Sequence, residues 1–384
     1  MTKKSIFFTI VVLVSVVIMA YNFLFNDKWE KSNIELNTAN ITPHTLLYSK
    51  DTFTVQREWI EIIDNNSKIK LTAFVYYPVL SALQEDMENL PSIQWQKEHF
   101  ESMRKKIGDS LAMKMIRAKV KLATNGKLIK EKLPLIIFGP GLGWLPTDYT
   151  LLLTSLASRG NIIVSVTGVP ISKQVYFPNQ TSETTEKVRA DYRKMAEYFM
   201  ITFADMVKKS NENKNDIYTL IDTNKVILAG HSISGAAGLI AAQANPRIKA
   251  IINLDGDVTD EFLEIRPMQP ILYITTQPQR VDNPNVKTWD IDRSENRRDK
   301  AFENNRMNSI KSIRIKIPNM YHLDFLDIAC YKDELSEVSK GKSFGKISFS
   351  KYLTIIIESI EDFIEGKENW KNLETIYGVC VQHK

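Results

Sequence analysis

Short, almost wholly apolar segments that alternate with helical patterns constrain this chain more than any other feature. From Pro134 onward "LPLIIFG", "NIIVSVTG", "KVILAG", "IKAIINLDG", "QPILYITTQ" and "SIRIKIPN" are separated by helical stretches. These include "DYTLLLTSLASRG", residues 184–209, "SGAAGLIAAQAN" and, last, "FSKYLTIIIESIEDFIEG". A strand that is apolar on both faces has to be covered on both, so the pattern predicts an α/β fold with a mostly parallel central sheet and helices on either side. A chain of 384 residues with 43% hydrophobic content can supply one large core.

Ahead of that region, "TFTVQREWIEII" and "KIKLTAFVYYP" are rich in β-branched and aromatic residues and predict an antiparallel strand pair that Pro78 ends. Residues 79–132 carry apolar side chains at helix-like intervals, among them Trp95, Phe100, Leu111 and Val120, and predict a helical insertion. Its later part, 104–132, holds ten Lys or Arg against only Asp109 and Glu131. Such a stretch either lies on an anionic membrane surface or is a solvated helix face. The remaining outline is a domain over 51–384 behind a polar stem at 26–50.

Residues 1–25 place Lys3 and Lys4 before a nearly unbroken apolar run from Ile6 to Phe25. The run is long enough to span a bilayer and longer than a usual signal-peptide core, which predicts an uncleaved signal anchor with the rest of the chain outside the cytoplasm. Cleavage after Ala20, giving a secreted protein, is the rival. The formal net charge of +5 is small for this length and gives no reason to expect a nucleic-acid partner. Cys330 and Cys380 could form one disulfide in an oxidising compartment or remain thiols, and neither lies in a metal-ligand spacing. No cofactor or metal is expected.

In an open parallel sheet, reactive groups gather at the carboxyl ends of the strands. Three such points stand out. "VILAGHSISGAAG" runs from a strand through a tight turn at Ser232 into a helix with small residues, the context of a serine nucleophile, although Ser234 stands where Gly-x-Ser-x-Gly has its last glycine. Serine is small enough to act as the spacer there. Of five histidines, His44 and His99 precede Ser232, His231 adjoins it and His383 is penultimate. That leaves His322, in a loop after the strand "SIRIKIP", as the general base. For the acid, Asp255 ends its strand, Asp282 lies in a Pro-rich loop one strand later, and Asp257 is a third candidate. The loop "IIFGPGLGW" offers the backbone N–H of Leu142, and the residue after the nucleophile offers that of Ile233, as oxyanion donors.

These elements resemble the secreted and lipoprotein-associated platelet-activating factor acetylhydrolases and their bacterial α/β-hydrolase relatives. The resemblance rests on Pro140-Gly141-Leu142-Gly143, Gly230-His231-Ser232-Ile233-Ser234-Gly235, Leu254-Asp255 and His322-Leu323-Asp324-Phe325-Leu326-Asp327, in that order. It implies an α/β-hydrolase fold, Asp255 as the acid, and a serine esterase acting on short or oxidised acyl chains, on phospholipid by family habit, with the insertion near the lipid-facing entrance. Two positions depart from the family pattern: Pro140 replaces a histidine and Ser234 a glycine. A broad carboxylesterase on small or polymeric esters, and a catalytically silent scaffold at the cell surface, are the alternatives.

Overall fold

The computed structural model describes residues 53–80, 84–89, 104–105, 107–116, 118–212, 216–256, 265–276, 299–300, 302–304, 308–339 and 344–383. The apolar run at 6–25, the stem, His44, His99, Asp257 and Asp282 lie outside them.

Among the described residues, nine strands form the central sheet: β1 (Thr54–Ile63), β2 (Lys70–Val79), β5 (Leu133–Gly139), β6 (Ile162–Thr167), β9 (Ile221–His231), β10 (Ile248–Leu254), β11 (Ile271–Thr276), β12 (Ser312–Ile317) and β13 (Cys380–His383). Their spatial order is β1-β2-β6-β5-β9-β10-β11-β12-β13. The six strands from β6 to β12 run parallel, while β1, β2 and β13 are antiparallel to their neighbours. In the parallel strands, Leu135 and Ile137 alternate with Ile136 and Phe138, and each set feeds a different face. One face is covered by helices α2 (Thr150–Ala157) and α5 (Phe349–Ile364), whose Leu152, Leu156, Ile356 and Ile360 pack on it. The other is covered by α3 (Tyr192–Glu212) and α4 (Ile233–Ala244), through residues such as Phe199, Met206, Leu239 and Ala242. Full burial of a Leu, Ile or Phe side chain contributes roughly 1.5–3 kcal/mol, so this two-faced burial is what keeps the sheet continuous.

Three local expectations are corrected. Among the described residues, the insertion is helical at 104–105, at 107 and at α1 (Asp109–Ile116), and β3 (Gln84–Asn89) pairs antiparallel with β4 (Lys119–Thr124). In β4, buried Val120 and Leu122 alternate with exposed Lys121, a strand period that a charge-rich segment obscures in sequence. The long helix begins at Tyr192 rather than 184, because the Asp191 carboxylate accepts the Lys194 N–H and so caps it. Thr184 instead ends β8 (Ser182–Thr184), paired with β7 (Gln174–Tyr176). Pro78 lies inside β2 opposite Val55, past Tyr76, where the pairing of β2 with β6 has already ended. Its missing N–H therefore leaves no gap between β2 and β6.

Cys330 and Cys380 are free thiols, the first half-buried and the second exposed on β13. Among the described residues no helix is long and apolar enough to cross a membrane, and no group of His, Cys, Asp and Glu has the arrangement of a metal site.

Candidate active site

Register places the candidate groups side by side. Gly139 of β5 is paired with Gly230 of β9, so residues 140–143 and 231–233 leave the sheet as neighbours. Leu254 of β10 is paired with His231, and its carbonyl accepts the Ser232 N–H at 2.9 Å. Asp255 follows directly and donates its own N–H to Ile274 on β11. His322 sits five residues beyond the end of β12, in a short 3₁₀ turn.

Ser232 occupies φ +56°, ψ −123°, a conformation that L-residues avoid, at the junction of β9 and α4. Holding a non-glycine residue there costs about 1–3 kcal/mol, which the surrounding turn has to offset. The turn is packed too tightly for larger neighbours. A Cβ on Gly230 would come within 2.6 Å of the Ser234 carbonyl carbon, and one on Gly139 within 2.5 Å of Ser234 Cβ. Ser234 itself is fully buried, and its hydroxyl donates to the Pro140 carbonyl. The two departures from the family pattern are thus bonded to each other.

His322 Nδ1 donates to Asp255 Oδ2 at 2.7 Å. The aspartate is buried, while the imidazole is partly exposed. Thr276, at the end of β11, also holds the carboxylate: its N–H donates to Oδ1 at 2.9 Å and its hydroxyl to Oδ2 at 2.7 Å. The end of β11, after which Asp282 follows in sequence, thus anchors the Asp255 carboxylate. His383 pairs with Ile313 at the opposite end of β12 and so lies at the far edge of the sheet from His322. It is part of an edge strand.

The loop after β5 is fixed on both sides of Leu142. Gly141 N–H donates to the Tyr149 hydroxyl at 2.9 Å, Gly143 N–H to Ile171 at 2.9 Å, and Trp144 N–H back to Gly141 at 3.1 Å. With the Gly141 carbonyl turned toward Trp144, the N–H of the same planar peptide, that of Leu142, faces the other way. Ile233 is the first residue of α4, where backbone N–H groups have no partner within the helix. A fixed N–H from each loop is what a developing oxyanion requires.

Two buried acids brace the histidine loop. Asp324 accepts the N–H groups of Tyr321 at 2.6 Å and Gly345 at 2.9 Å, and Asp327 accepts the Leu151 N–H, at the start of α2, at 3.1 Å. Burial pushes the Asp324 carboxyl up to about 6 and that of Asp327 up to about 8. A proton that Asp327 keeps in the fold but releases in the unfolded chain above about pH 4 stabilises the fold less and less as pH rises from there through about 8. Asp324 acts in the same direction up to about 6. Asp327→Asn, which can still accept from Leu151, is expected to flatten this decline. In thermal melts from pH 5 to 8.5 the wild-type midpoint should fall more than the variant's, and parallel curves would contradict the assignment.

An open, twisted, mostly parallel sheet, helices on both faces, and a serine on a strained strand-to-helix turn define the α/β-hydrolase fold. The chain is similar over 84% of its length to a ferulic acid esterase from Streptomyces cinnamoneus, 92% of which is covered, with a TM-score of 0.61 and 17% sequence identity. Residues 61–198 match the family of platelet-activating factor acetylhydrolase, isoform II. That match takes in the loop around Leu142 and ends before Ser232.

Proposed function

We propose that the protein is a serine ester hydrolase in which His322 takes the proton of the Ser232 hydroxyl as Ser232 Oγ attacks an ester carbonyl. The amides of Leu142 and Ile233 stabilise the oxyanion. When the tetrahedral intermediate collapses, His322 returns the proton to the leaving alcohol and an acyl-Ser232 remains. Water, deprotonated by the same histidine, then releases the acid. Asp255 holds the imidazole with Nδ1 protonated and stabilises its charged form. The observation that carries this reading is the His322 Nδ1 to Asp255 Oδ2 bond, formed beside a serine at φ +56°.

The substrate class is a short or oxidised acyl ester, with phospholipid as the preferred carrier. The family match over 61–198 and the basic 104–132 segment support this preference. The apolar run behind Lys3 and Lys4 supports a place on a membrane, facing away from the cytoplasm, or secretion. A broad carboxylesterase would share the same chemistry. Turnover of a phosphatidylcholine carrying an sn-2 acetyl group, measured beside p-nitrophenyl acetate, separates the two. Preference for the phospholipid in kcat/KM supports the lipid assignment, preference for the soluble ester the broader one, and no turnover of either overturns the hydrolase.

A further inference from the structure

His231 and Tyr149 have no role in the mechanism above, yet they join its parts. The Tyr149 hydroxyl, fully buried, accepts the Gly141 N–H at 2.9 Å and shares a 2.8 Å hydrogen bond with Nδ1 of His231. The His231 ring is also fully buried and lies 4.4 Å, centroid to centroid, from that of His322, with Phe325 at 5.1 Å on its surface. The residue before Ser232 therefore touches the oxyanion loop through one phenol and the general base through its own face.

We propose that Tyr149 and His231 are a positioning pair: the phenol fixes the Gly141 peptide, and with it the Leu142 N–H, relative to the serine turn, while the imidazole gives His322 an uncharged surface to rest on. Two observations make the pair more than core filling. First, the phenol's partners belong to the two loops that carry the oxyanion donors, so a shift of the ring moves one donor relative to the other. Second, burial keeps the His231 imidazole well below its usual titration range. It stays neutral, and no second positive charge opposes the one His322 gains when it takes the serine's proton. Ser234, donating to the Pro140 carbonyl, holds the same loop one residue earlier.

The inference rests on the serine-hydrolase reading, and the experiment keeps the two apart. Wild type, Tyr149→Phe, His231→Leu, His231→Asn and the Tyr149→Phe/His231→Leu double variant are compared for p-nitrophenyl acetate hydrolysis, for the rate of fluorophosphonate labelling, and for thermal midpoint. Because a misplaced oxyanion donor weakens transition-state binding and not substrate binding, Tyr149→Phe should lower kcat about 10- to 100-fold with KM changed less than about threefold. His231→Leu should do the same. His231→Asn, whose side-chain oxygen can stand where Nδ1 does and accept from the phenol, should recover most of the rate. Since the two residues act as one unit, the double variant should be little worse than either single.

A wild type that is inert to both ester and probe refutes the hydrolase reading itself. A wild type that is labelled, with Tyr149→Phe folded and within about twofold of its rate, or with the two single losses multiplying in the double variant, refutes the pair. If Tyr149→Phe does not fold, the two His231 variants decide: equal rates for Asn and Leu overturn the proposal.

Discussion

Ser232→Ala is expected to lower kcat for any ester substrate by about four to six orders of magnitude while leaving the fold intact. The size of the loss follows from what the serine does. Without Oγ there is no covalent intermediate, and the only nucleophile left is water, which His322 was not placed to activate against a carbonyl sitting over residue 232. The remaining rate would come from the oxyanion donors and from substrate binding. Stability should be little changed or slightly raised, because alanine at φ +56° carries the same backbone strain and has no hydroxyl to solvate. Steady-state kinetics beside a thermal melt check both parts. A loss below about tenfold in a folded variant would mean that the reaction does not pass through this residue.

Asp255→Asn should cost about 10⁴-fold in kcat, and the surroundings of the carboxylate say why. Oδ1 accepts the rigid Thr276 N–H, so an asparagine must keep its carbonyl oxygen at that place. Its NH₂ group then takes the place of Oδ2, facing both the Thr276 hydroxyl, which can rotate to accept, and His322 Nδ1. A donor at Nδ1 forces the proton onto Nε2, and an imidazole protonated there cannot receive the serine's proton. The protein should remain folded, since every position around residue 255 still finds a partner. KM should hardly move. A mild effect of Asp255→Asn together with a severe one of Asp282→Asn would transfer the acid to the later loop.

The six parallel strands were legible because buried strands must be apolar on both faces, and short apolar runs such as "LPLIIFG" and "KVILAG" recur between helical patterns. The edges were less so. In β4 the exposed Lys121 masked a period of two, and β7, β8 and β13 are too short to show any period. Of the candidate site, Asp255 stood beside Asp282 and Asp257 until the family resemblance favoured it, while Ser232 and His322 could be picked from sequence because each follows an apolar strand. Their supports could not. Thr276 is an ordinary strand-end threonine until the strand order sets it beside Asp255, and Tyr149 acts across a loop on residues 8 and 82 positions away. Asp324 and Asp327 were part of the quoted motif, but only burial reveals them as braces of the histidine loop. Ser234 looked like a departure to be tolerated, and its bond to Pro140 makes it a tie between the two loops.

The most direct test of the proposed nucleophile is to treat the folded protein with a fluorophosphonate and map the adduct by peptide mass spectrometry. The mechanism predicts one adduct, on Ser232, formed in wild type and absent from Ser232→Ala. No adduct on folded wild type, or an adduct on Ser234 that survives Ser232→Ala, would contradict it.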